Sequence, residues 1–250
     1  MPRTLWFMHA LGQTGLPQTA EVGGVVYQIE TTIKHDFWAA TGFYRPRGHA
    51  GPRIVIKINR RVSMRFIGRW LARREMRAYA KLNDLHNIPA LLGPVTDTGF
   101  AHAFVEGAPL SKKSVVSDTF FDELLGLIAE LNRRGIAYVD TNKPENIILG
   151  DDGRPHLIDF QIHVDAGHIW PGLVARRVLR VFHEADVYHA LKHKRRIRPD
   201  QLSESERLRV EKRGVMIRIH RFVTAPYFWV RRPVMRWLNR TGRVADAGSN

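Results

Sequence analysis

The stretch that most constrains this chain is Tyr138-Val139-Asp140-Thr141-Asn142-Lys143-Pro144-Glu145-Asn146-Ile147-Ile148-Leu149, then a turn at Asp151-Asp152-Gly153, then Leu157-Ile158-Asp159-Phe160-Gln161. Two short apolar runs joined by an Asp-Gly turn read as a β-hairpin. Closing it brings Asn146 and Asp159, at its open ends, side by side, with Asp140 just upstream. Two carboxylates and a carboxamide around one cleft suit metal-assisted phosphoryl transfer. One carboxylate positions an incoming hydroxyl, while the other and the amide are hard oxygen ligands for Mg²⁺ on nucleotide phosphates. The plainer reading is an ordinary hairpin with solvated turn acids.

These motifs resemble those of the protein-kinase-like superfamily. Lys143-Pro144-Glu145-Asn146 is similar to the end of the kinase catalytic loop, and Asp159-Phe160 to the start of the metal-binding Asp-Phe-Gly motif. Three departures stand out. Five residues separate Asp140 from Asn146 where the family pattern has four, so an ungapped alignment puts Thr141 in the base position and Asp140 needs a one-residue insertion. Tyr138-Val139 replaces His-Arg, and Gln161 replaces Gly. They point to a compact, atypical member, similar to the lipopolysaccharide-core or RIO-type kinases.

The resemblance implies an α+β, two-lobed fold. A small β-rich lobe with one main helix spans 25–105, and a mainly helical lobe with a basic tail spans 106–250. It implies ATP and Mg²⁺ as cofactors and a hydroxyl acceptor, either protein Ser/Thr or an envelope sugar. Asp140 is then the base, Lys143 reaches the γ-phosphate, and Asn146 and Asp159 hold the metal.

Upstream, Val25–Glu30, Phe37–Tyr44 and the β-branched Ile54-Val55-Ile56-Lys57-Ile58 read as strands. Lys57 sits in an otherwise apolar strand, and an amine on a half-buried face needs an acceptor. The residue that supplies it is Glu75. Ser63 can cap a helix to about Asn83, on which Ile67, Leu71, Ala78, Tyr79 and Leu82 form a stripe containing Glu75. Glu75 is the single acid among ten basic residues between Arg53 and Lys81, so it is not placed for solubility. By resemblance, Lys57 contacts nucleotide phosphates and Glu75 fixes it. An edge lysine and an i,i+4 surface pair are the ordinary alternatives.

Phe104-Val105-Glu106-Gly107 is similar to the hinge whose backbone binds adenine. No Gly-x-Gly-x-x-Gly lid occurs. Thr32-Ile33-Lys34-His35-Asp36 takes its place, where Lys34 can substitute electrostatically. A helix capped by Ser117 or Asp118, carrying Phe120 to Leu131 and ending at Gly135, belongs in a core. Glu184-Ala185-Asp186-Val187-Tyr188 starts another helix, and Asp186 is either its N-cap or a brace beneath the catalytic loop.

The 250-residue chain is long enough for a real core, and residues 1–24, with glycines at 12, 15, 23 and 24, are expected to form a loose or peripheral arm. With no cysteine there is no disulfide framework, thiol nucleophile or cysteine zinc site. His183, His189 and His193 show no metal spacing. No apolar run nears the roughly 20 residues of a membrane span, nor the core of a signal peptide, so a cytoplasmic setting is expected.

The formal net charge is +15, and residues 160–250 hold 19 Lys and Arg against 8 acids. Arginines 218, 221, 231, 232 and 236 alternate there with Phe222, Tyr227, Phe228, Trp229 and Trp237. Such a tail suits an anionic membrane surface, with single-stranded nucleic acid the lesser expectation. Two other functions stay open: a nucleotide-binding or inert kinase-like scaffold (pseudokinase), and a basic nucleic-acid or membrane-surface binding protein.

Overall fold

The computed structural model describes residues 9–48, 50–62, 64–169 and 171–211. Ser63 and the aromatic–arginine tail lie outside the described residues. The chain opens with β1 (Thr19–Val22), β2 (Val25–His35), β3 (Ala39–Pro46) and β4 (Ile54–Asn59), followed by α1 (Arg65–Lys81). Next come β5 (Leu91–Thr96), β6 (Gly99–Ala103), β7 (Gly107–Pro109) and α2 (Phe120–Arg133). β8 (Ile136–Ala137), β9 (Ile147–Gly150), β10 (Pro155–Leu157) and β11 (Val164–Asp165) lead into α3 (Gly172–Ile197) and α4 (Glu204–Glu211).

Six strands form an antiparallel sheet in the order β1-β2-β3-β4-β6-β5. Residues 9–24 are not a loose arm. β1 pairs with β2 through the two-residue turn Gly23-Gly24, whose φ values of 58° and 78° are those of a type I′ hairpin. Leu11, Leu16 and Val22 are buried with Tyr27, Tyr44, Ile54, Ile56 and Ile58 in one apolar cluster. The signal was present in the sequence: a Gly-Gly pair between two β-prone runs.

α1 is built from good helix formers and turns Gly68, Ala72, Glu75, Ala78 and Tyr79 inward. Gly68 is required there, since a Cβ would sit 1.9 Å from the Arg60 carbonyl at the end of β4. That contact fixes the helix against the Lys57 strand.

A second cluster joins Tyr79, Leu82 and Phe100 to Phe120, Phe121, Leu124, Ile128 and Leu131 of α2 and to Tyr138, Ile147, Leu157 and Phe160. α2 starts after Thr119, not at a Ser117 or Asp118 cap, and Gly135 at φ 77° follows its C-cap as expected. α3 starts at Gly172, so Glu184 lies mid-helix and Asp186 is not an N-cap. No helix among the described residues is long and apolar enough to cross a membrane.

Candidate active site

The β9–β10 hairpin forms as the sequence predicts, in the register Leu157↔Ile147. Beyond its open end the Ile158 amide donates to the Asn146 carbonyl at 3.1 Å, which sets Asp159 beside Asn146. Gly107 holds β7 against this hairpin. Its φ is 146°, and a Cβ would meet the Leu149 carbonyl at 2.2 Å.

Lys57 on β4 reaches its predicted partner Glu75 and, in addition, Asp159. Its Nζ lies 2.9 Å from the Glu75 carboxylate and 2.7 Å from Asp159 Oδ1, across 102 residues of chain. Burial opposes the ammonium charge, but Asp159 and Glu75 together raise the Lys57 pKa. Burial also opposes ionisation of Asp159, and there Lys57 wins, bringing that carboxyl down to about 2. Glu75 goes the other way: burial pushes it up to about 7 against the pull of Lys57. The two carboxylates that share Lys57 thus move in opposite directions. One cation between two carboxylates cannot neutralise both, and the fully enclosed Glu75 is the less favoured anion.

Around Asp140, Asn146 Nδ2 donates to Oδ2 at 2.9 Å and Lys143 Nζ donates to the same oxygen at 2.5 Å. Burial raises the Asp140 pKa, with Lys143 pulling against it. Because the Asn146 amide nitrogen is spent on Asp140, its amide oxygen is left as the acceptor end. A carboxylate and an amide oxygen are the hard donors Mg²⁺ takes, with phosphate and water completing the shell. Asn146 and Asp159 therefore match that ion in chemistry.

Thr141 does not share the surroundings of Asp140. Its side chain is fully buried, its hydroxyl donates to Asp186 Oδ1 at 2.5 Å, and its carbonyl accepts from His193 Nε2 at 2.9 Å. Thr141 therefore points into the core, away from the Lys143 and Asn146 side chains that Asp140 meets. Asp186 Oδ2 also accepts the Tyr138 and Val139 amides at 2.9 and 3.0 Å, so it braces the loop from below. Burial pushes its carboxyl up to about 6, opposed by those three donors. The two non-glycine residues with positive φ among the described residues are Val139 (72°) and Asp159 (62°). For a β-branched valine this is real strain, and the two positions adjoin the polar cluster, one preceding Asp140 and the other binding Lys57.

Sequence reasoning missed the aromatic column beneath the site. Phe160 packs edge-on against Tyr138 at 5.0 Å and Tyr79 at 5.2 Å. The Tyr79 hydroxyl accepts the Asp159 amide at 3.0 Å, and the Tyr138 hydroxyl donates to the Ile158 carbonyl. Tyr79 was legible as a core position one turn after Glu75, but not as the anchor of Asp159. His102, stacked on Tyr79 at 5.1 Å and pushed down to about 4 by burial, was also unforeseen.

Two proposed nucleotide contacts sit at the edge. The Glu106 side chain pairs with Arg53, and its carbonyl accepts the Asp151 amide at 3.0 Å, so part of its polar capacity is taken. Lys34 pairs with Asp36 at 2.9 Å on the exposed β2–β3 hairpin, and its charge helps to depress the Asp159 pKa.

No protein-family model matches this sequence, and no curated protein does. Solved structures do match in shape. One is the Rio2 kinase–ADP/Mg²⁺–phosphoaspartate complex from Chaetomium thermophilum, at TM-score 0.53 and 18% identity, covering 74% of this chain and 63% of that one. Another is the BubR1 kinase domain, at TM-score 0.53 and 14% identity, covering 73% and 65%. The chain thus spans somewhat less than two thirds of the length of each. At this identity the likeness concerns the fold alone: this is an α+β chain with a protein-kinase-like fold.

Proposed function

We propose that the chain is a Mg²⁺- and ATP-dependent phosphotransferase of compact, atypical kinase type. It would be two-lobed, with the six-stranded sheet and the helical part closing on one nucleotide. The observation that carries this reading is the placement of Lys57 Nζ between Glu75 and Asp159. That contact joins the sheet to the hairpin holding Asn146 and Asp140, and a buried cation shared by two carboxylates is more than packing requires.

In this reading Lys57, held by Glu75, neutralises the nucleotide phosphates. Asn146 through its amide oxygen and Asp159 through its carboxylate hold Mg²⁺, which when bound neutralises phosphate charge. Asp140 accepts a hydrogen bond from the acceptor hydroxyl, orients it and takes its proton. Burial favours that role by raising the Asp140 pKa towards a useful base. Lys143, half exposed and already on Asp140, can swing to the γ-phosphate oxygens. The acceptor is protein Ser/Thr or an envelope sugar, and the setting is cytoplasmic.

A second reading, a pseudokinase, is favoured by one observation. The β2–β3 turn has no glycine and closes as a tight Asp36 turn, so it offers phosphates no wide backbone cradle. Thermal unfolding with and without Mg·ATP tests binding. The wild type should rise by several degrees and Asp159→Asn should not. ATP turnover then separates the readings: Asp140→Ala should keep the thermal shift and lose about 10³-fold in rate. A wild type without a thermal shift ends the phosphotransferase reading and leaves the inert kinase-like scaffold.

A further inference from the structure

The helix that delivers Glu75 has a second face. At about 100° per residue, Phe66, Trp70, Arg73 and Arg77 fall within an arc of roughly 60°, opposite the inward set Gly68, Ala72, Glu75 and Tyr79. Phe66 is 74% exposed and Trp70 54%, on a helix only 17 residues long. The flanking cations are sorted. Arg65 and Arg69 are both bound by Asp97, at 2.8 Å each. Arg74 donates to the Gln161 and His163 carbonyls. Arg73 and Arg77 remain, exposed and paired with no carboxylate among the described residues. The only acid of α1 is Glu75, and it points inward.

We infer that this face of α1 is a docking surface for an anionic lipid membrane. Two large exposed aromatics beside two arginines with no carboxylate partner among the described residues are what an interfacial helix presents. The rings enter the headgroup layer, and the cations meet lipid phosphates. Isolated exposed apolar residues need no explanation, but two one turn apart on a cationic arc do. The shape favours a membrane over nucleic acid. A single helix face is convex and meets a plane, whereas gripping a strand takes a positively charged groove. The inference is independent of phosphoryl transfer and of the basic tail.

The sequence contains no cysteine, so one introduced thiol reports one place in the full-length chain. An environment-sensitive dye on Phe66→Cys is compared with the same dye on Val115→Cys, which is 91% exposed in the segment before α2. Both are mixed with vesicles of phosphatidylcholine alone, or of equal parts phosphatidylcholine and phosphatidylglycerol.

The expected result is a blue shift at position 66 with the anionic vesicles only, and none at position 115. Without a label, Arg73→Glu with Arg77→Glu should lower vesicle partitioning at least about tenfold. The melting temperature should hold, because both side chains are exposed. Vesicle binding with the position 66 dye still in water would assign the membrane to another part of the chain and overturn the inference. So would no vesicle binding at all, or a shift at position 66 given by single-stranded DNA or an acidic peptide and not by vesicles.

Discussion

Two hairpins bring charge to bear on Asp159 and are built on different principles. The β9–β10 hairpin and the loop before it present side chains: Asp140, Asn146 and Asp159, each tied to at least one other group by a hydrogen bond of 2.9 Å or shorter. The β2–β3 hairpin presents no such set, and its turn is held by backbone amides. Asp36 Oδ1 accepts the Trp38 and Ala39 amides at 2.8 and 2.9 Å, and Lys34, which pairs with Asp36, is exposed. Where a site depends on particular functional groups, the residue types announce it. Where it depends on amides that every residue owns, the sequence is nearly silent.

The sharpest break in this contrast comes from Lys57→Met. Lys57 and Glu75 are almost wholly buried, so the change strands one carboxylate in the core and removes the counter-charge of Asp159. Removing one partner of a buried pair costs about 3 kcal/mol or more, read as a lower urea midpoint at unchanged slope. Adding Glu75→Gln should restore more than half of that loss, while nucleotide binding stays lost. If the single variant is as stable as the wild type, the three-charge cluster is not the joint between sheet and hairpin.

The same contrast explains how much could be read beforehand. Lys57 and Glu75 were legible because each breaks a local rule, an amine in an apolar strand and a lone acid on an inward stripe. Asn146 and Asp159 followed from hairpin closure. Where the Thr141 side chain goes was a question that needed three dimensions. Its answer lies in Asp186 and His193, 45 and 52 residues further on from Thr141, which capture Thr141 from below. Long-range capture by one side chain leaves no periodic trace. The start of α3 was misplaced for a related reason. Its first turns carry exposed Leu173 and Val174 beside Arg176 and Arg177, so the stripe that marks a packed helix is blurred there.

Asp186 gives the next largest effect, and its sign is fixed. Its carboxyl is raised from 3.8 to about 6 by burial. A raised folded-state value favours the protonated form. The stabilising contribution is therefore complete below about pH 4 and is lost as pH rises through about 6. A rise of that size corresponds to about 3 kcal/mol. Asp186→Asn keeps the shape: its amide oxygen can take the Tyr138 and Val139 amides, and Thr141 can turn its hydroxyl to accept. Denaturation at pH 4 and pH 7 should show the wild type losing about 2 kcal/mol relative to this variant, since at pH 4 the unfolded carboxyl is already partly ionised, the other titrating groups cancelling in the difference. Parallel pH profiles would mean that the brace does not titrate.

The smallest effect belongs to the backbone-built hairpin. Lys34 is 55% exposed at its side chain and already bound to Asp36, and exposed pairs are worth at most about 1 kcal/mol. Its influence on Asp159 is a through-space charge effect, weaker than that of Lys57 and open to screening by salt. Lys34→Ala should therefore weaken Mg·ATP binding by no more than about fivefold, and the difference should shrink as salt rises. Isothermal titration at low and high salt measures both. A loss of about thirtyfold or more that salt does not diminish would mean that Lys34 touches the phosphates directly. The β2–β3 hairpin would then work through a side chain as the β9–β10 hairpin does, and the absence of glycine would have a chemical substitute.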